Sequence, residues 1–138
     1  GLNHPDHPST DLRKVAPHDM PHYLAHRTEI AAQYFPGGSL APSPEQFIAA
    51  REKEGNALKN IQKAHGMGHP NLGRWLSRIP NETLIVWGDR DRIALAGQAE
   101  LWAGAIPKAR THIVSGVGHL AMQEDPACVT AIGNFLAA

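Results

Sequence analysis

Two short runs constrain this chain more than anything else in it: TLIVW at 83–87 and RTHIV at 110–114. The first is continuous, apolar and β-branched, the pattern of a strand buried on both faces. The second mixes polar with apolar positions, which suits a strand nearer a sheet edge. Between them lie a charged loop, GDRDRIA, and the stretch LAGQAELWAGAIP, which puts Leu95, Ala99, Trp102 and Ile106 on one helical side. A strand, helix, strand connection of this length joins parallel neighbours through a right-handed crossover. In a parallel pair both C-terminal strand ends lie at one edge of the sheet. The loops GDRDRIA and SGVGH should therefore share a side, where open α/β sheets place their sites. Asp91 and His119 are expected to meet there. Two parallel strands do not make a stable buried sheet alone. No other segment reads convincingly as a strand, so the rest of the sheet is expected from elsewhere.

The first half reads differently. Residues 1–18 are dense in Pro, His and Asp and read as an extended loop. A helix is expected from Asp19, with Pro21 in its first turn and Met20, Tyr23, Leu24, Ile30, Ala31 and Tyr34 on its apolar side, stopped by PGG at 36–38. Ser43, Pro44 and Gln46 form a capping-box start for a second helix, whose thin apolar stripe is Phe47, Ile48, Leu58 and Ile61. A short helical piece follows around NLGRWLSRI. After the loop holding His119, Asp125 and Pro126 open a last helix with Val129, Ile132, Phe135 and Leu136 as its apolar side. The chain thus divides into a loop and helical region, 1–78, and a β-α-β-α region, 79–138.

Charge and composition exclude several functions. Thirteen basic residues balance thirteen acidic ones, leaving no net field for nucleic acid or an anionic membrane surface. No apolar run approaches the length of a membrane span. One cysteine, Cys128, excludes an internal disulfide framework and favours a reducing compartment, so a cytoplasmic location is expected. No signal-peptide pattern is present, and the chain opens on a glycine within loop-like sequence. Among the nine histidines, His18, His22 and His26 recur every fourth residue and would share a helix side. No carboxylate or thiolate joins them at an evident ligand spacing, so a metal site is not favoured. His65 and His69, in the Gly-rich HGMGHPNLG, read as loop residues.

An aspartate and a histidine on neighbouring strand-end loops suit the acid and base of a nucleophilic hydrolase. The imidazole takes a proton from the nucleophile or from water, and the carboxylate fixes its tautomer. A helix-capping histidine beside a charged loop is the plainer alternative. IPNETLIVWGDRDRIAL and AIPKARTHIVSGVGHLAMQEDPACVTAIGNFL together closely resemble the C-terminal part of α/β-hydrolase fold enzymes. In that family a strand ends in Gly-x-x-Asp. A helix, a strand, Gly-His, an acid-Pro and a final amphipathic helix follow it.

The resemblance covers residues 79–137. It implies that Gly88 makes the turn, Asp91 is the triad acid in preference to Asp89, and His119 is the base. Residues 1–78 resemble, more weakly, the helical cap that many members carry before their last two strands. The nucleophile elbow, Gly-x-Ser-x-Gly or its Asp or Cys form, is absent. GGSLA around Ser39 follows a helix and ends in Ala, and Ser115 is too close to His119 along the chain.

The expected fold is therefore α/β, a partial α/β-hydrolase with a helical cap before the β-α-β-α unit. The implied activity is hydrolysis of a small organic ester, or of a carbon–carbon bond next to a carbonyl, without cofactor or metal. A missing N-terminal half or a partner chain would supply the nucleophile and the rest of the sheet, and these residues alone would be inactive. Alternatives are a non-catalytic binding protein of the same fold, an Asp-nucleophile epoxide hydrolase or dehalogenase, and a small His-rich metal-binding module.

Overall fold

The computed structural model describes residues 6–65 and 71–138. The chain is mixed α/β. Its helical first half comprises α1 (Met20–Leu24), α2 (Thr28–Ala32), α3 (Pro44–His65) and α4 (Leu72–Leu76). Then come β1 (Thr83–Gly88), α5 (Gly97–Ala105), β2 (Ala109–Val114), α6 (Ala121–Glu124) and α7 (Pro126–Leu136). His69 and most of the Gly-rich stretch before Asn71 lie outside the described residues, as does GLNHP at the start.

β1 and β2 pair in parallel from Thr83 opposite Ala109 to Gly88 opposite Val114. The sheet has two strands among the described residues. The helix α5 packs on both strands and α7 on β1. Buried Val114, Val117 and Cys128 form a small core, with Val86 and Ala121 packed against it. Full burial of TLIVW is not seen: Ile85 and Gly88 are buried, but Leu84, Val86 and Trp87 are only half covered. The reason is geometric. The edge of β1 away from β2 meets no third strand among the described residues, so nothing shields its side chains there.

Local chemistry sets the helix ends that the sequence marked. Ser43 and Gln46 make the reciprocal capping box, with Gln46 N–H donating to Ser43 Oγ at 3.2 Å and Ser43 N–H to Gln46 Oε1 at 3.1 Å. Asp125 caps α7 by accepting from Ala127 N–H at 2.8 Å. Elsewhere tertiary contacts win. The single helix expected from Asp19 is two short ones, because the chain turns extended at Ala25. There Leu24 O accepts from Leu120 N–H, 2.8 Å away in the second half of the chain.

The apolar side of α7 is also corrected. Cys128 is buried, whereas Val129 is 56% and Leu136 77% exposed. Along α3, Ile48 and Ile61 are exposed and Phe47 meets Phe35 with ring centroids 6.0 Å apart; the Leu58 side chain lies outside the description.

Gly88 shows how closely the two strand-end loops approach. A Cβ there would stand 2.3 Å from the carbonyl oxygen of Gly118 and 2.4 Å from that of Val117. Both are backbone atoms that cannot rotate away. Gly88→Ala is expected to destabilise the fold by about 1–3 kcal/mol, as overpacking does. Gly55→Ala, in an α3 position with nothing within 4 Å, should instead stabilise by up to about 1 kcal/mol. Urea denaturation of the two variants checks both signs; equal stabilities would contradict the close approach.

A candidate acid–base site at the strand ends

The parallel register delivers Asp91 and His119 to one another. Asp91 lies three residues past Gly88, in the loop that leaves β1, and His119 follows the turn after β2. Two backbone bonds hold the loops together: Asp89 N–H donates to Val114 O at 3.0 Å and Arg90 N–H to Val117 O at 2.9 Å.

Asp91 is 6% exposed, and both its oxygens are engaged. Oδ1 accepts from the N–H groups of Ile93 at 2.8 Å and Ala94 at 3.0 Å. Oδ2 faces His119 Nδ1 at 2.9 Å. A carboxylate can only accept, so Nδ1 carries the hydrogen, and the lone pair of the neutral ring sits on Nε2. The histidine side chain is 42% exposed, which leaves the ring accessible. The bond to Asp91 raises its pKa above the ordinary 6.5, against a smaller opposing effect of burial.

That direction has two consequences of opposite sign. The pair's contribution to folding stability is fully present below the unfolded-state value and is lost as pH rises through the raised folded value. The neutral, basic form of the ring appears over that same rise.

Asp89, the other acid of GDRD, has a different task. It accepts from Gly116 N–H at 2.7 Å and from Ser115 Oγ at 3.2 Å, bracing the loop before His119. Ser115 is thereby engaged with Asp89, and Ser39 lies exposed in the turn after α2. Neither hydroxyl is brought to His119, whose hydrogen-bond partner is Asp91. His18, His22 and His26 fall in a 3₁₀ turn, in α1 and in the break after it, so they do not share one helix side. Among the described residues no group of three or more His, Cys, Asp or Glu side chains could hold a metal ion. None of the helices there is long and apolar enough to cross a membrane.

Several contributors left no readable signal in the sequence. The segment 7–10, which reads as plain loop, runs antiparallel to the acid loop through a bridge between Ser9 and Ala94. Thr10 N–H donates to Ile93 O at 2.7 Å and Thr10 Oγ to Arg92 O at 2.6 Å. Fully buried Gln98 reinforces this, with Nε2 donating to His7 O at 2.9 Å and Ser9 Oγ at 3.0 Å. Trp87 Nε1 donates to Ala94 O at 2.8 Å, fixing the same loop from the strand side.

His119 stands at the rim of an open apolar groove of about 540 Å³, lined by Leu84, Val86, Ile132 and Phe135 among others. A second groove of about 520 Å³ runs between Leu120 and the helical half, lined by Met20, Leu24, Phe35 and Phe47. Both grooves also touch Gln123. His119 is thus bordered by apolar surface. Comparison with protein-family models, with curated proteins and with solved structures finds no match.

Proposed function

We propose that this chain carries the acid and base of an α/β-hydrolase, with Asp91 orienting His119 and His119 acting on a nucleophile supplied by residues outside this chain segment or by a partner chain. The observation that carries the reading is the 2.9 Å bond between His119 Nδ1 and a buried Asp91 whose other oxygen is held by two backbone N–H groups. An arrangement that merely caps a helix has no need of a buried acid fixed in this way. The half-covered β1 supports the same reading, because an added strand and its helices would bury Leu84 and Val86.

In the reaction, Nε2 takes the proton of the nucleophile as that group attacks the substrate carbonyl. Asp91 stabilises the imidazolium, which then gives the proton to the leaving group. A water molecule, deprotonated by the same nitrogen, releases the acyl group and restores the nucleophile. The substrate class is a small organic ester, or a carbon–carbon bond beside a carbonyl. No metal or organic cofactor enters these steps, and the partners of the chain are its substrate and the remainder of the sheet.

The test is a pH–rate profile of the full-length protein on short-chain p-nitrophenyl esters. Because the base works only when neutral and its pKa is raised, kcat/KM should climb with pH through a midpoint above 6.5. A flat profile between pH 5 and about 9 would count against His119 as the base.

A further inference from the structure

Glu124 is 1% exposed, on α6, and makes no bond to the His119 ring. A carboxylate so deeply buried is costly unless charge-assisted hydrogen bonds occupy its oxygens. Here each oxygen takes one backbone N–H. Oε1 accepts from Gly118 at 2.7 Å and Oε2 from Arg27 at 2.8 Å. Gly118 immediately precedes His119, while Arg27 immediately precedes α2, 97 residues from Glu124 along the chain. One side chain therefore joins the loop of the base to the joint between α1 and α2.

Two other contacts close the same seam. On the far side of His119, Leu120 N–H donates to Leu24 O at 2.8 Å. At Gly118 the two backbones touch: a Cβ there would lie 2.7 Å from His26 N and 2.9 Å from the Ala25 carbonyl carbon. The main chain on both sides of the ring is thus fastened to residues 24–27. The ring's own restraint is its bond to Asp91.

We propose that Glu124 is a positioning residue: its carboxylate clamps the main chain carrying His119 to the α1–α2 joint, and the imidazole meets Asp91 only while that clamp is closed. The inference rests on the acid–base reading of Asp91 and His119 and extends it, because it makes the helical half part of the machinery that aims the base. Glutamate suits the task. Aspartate is one methylene too short to span both donors, and glutamine would turn an NH₂ group towards one of them.

The experiment is Glu124→Gln in the full-length protein, with the His119 ring followed by ¹⁵N NMR across pH beside the unsubstituted protein. The expected result is loss of the raised midpoint, which falls back towards 6.5, together with loss of the Nδ1–H signal. A variant that melts at lower temperature yet keeps both features overturns the proposal, since Glu124 would then serve stability alone. If Glu124→Gln does not fold, amide hydrogen exchange in the unsubstituted protein decides the matter. Gly118 and Arg27 should show one common opening free energy once their different intrinsic exchange rates are divided out, because one carboxylate releases both, and two unrelated opening free energies overturn the clamp. An unsubstituted His119 with no raised midpoint would remove the acid–base pair itself, a failure distinct from that of Glu124.

Discussion

Replacing His119 by alanine is expected to lower kcat of the full-length protein by about 10⁵- to 10⁶-fold, the scale on which loss of a triad base is felt. No other group among the described residues is placed to substitute for it. Asp91 is buried and fully engaged, and Asp89 is occupied with Gly116 and Ser115. The fold should tolerate the change, because the ring is 42% exposed and contributes little to the core. Circular dichroism of the variant should therefore match the unsubstituted protein, and urea denaturation should show a loss of about 1–3 kcal/mol for the buried Asp91 oxygen left without its donor, while p-nitrophenyl ester hydrolysis disappears. Full activity in His119→Ala would remove the assignment.

Asp91→Asn should cost about 10⁴-fold in kcat through a different cause. The asparagine carbonyl oxygen can keep the bonds from Ile93 and Ala94, which hold Oδ1 of the native side chain at 2.8 and 3.0 Å. Its NH₂ group then faces His119, so Nδ1 must accept and the ring proton moves to Nε2. The nitrogen that should act as base becomes a donor. Raising the pH does not reverse this, because the defect is the tautomer of the neutral ring. The variant should stay slow throughout the alkaline range while its denaturation midpoint moves little. Asp91→Ala would instead free the N–H groups of Ile93 and Ala94 and lower stability as well. A rate for Asp91→Asn within tenfold of the unsubstituted protein would show that the carboxylate does not set the tautomer.

Much of this site is legible in residues 83–119 alone. The continuous TLIVW and the mixed RTHIV mark strands, the helical stretch between them is long enough for a parallel crossover, and in a parallel pair the two loops share an edge. Periodicity and turn chemistry are local, and they carried that far. The capping box at Ser43 and the Asp125-Pro126 start are equally local, and both are seen.

What stayed hidden depends on contacts between distant segments. Nothing in GLNHPDHPST signals that Thr10 will pair with Ile93, and a break at Ala25 contradicts the helical pattern around it. In sequence Glu124 is simply the first of two adjacent acids before Pro126. Only burial with one donor from Gly118 and another from Arg27 separates it from Asp125, which caps a helix. Helical spacing likewise names a face but not the surface it meets, and Val129 and Leu136 are exposed.

The most direct measurement is the ¹⁵N NMR titration of the His119 imidazole in the unsubstituted full-length protein. The pairing with Asp91 requires a neutral ring protonated at Nδ1, with a midpoint above 6.5. A neutral ring protonated at Nε2, titrating at or below 6.5, would contradict it.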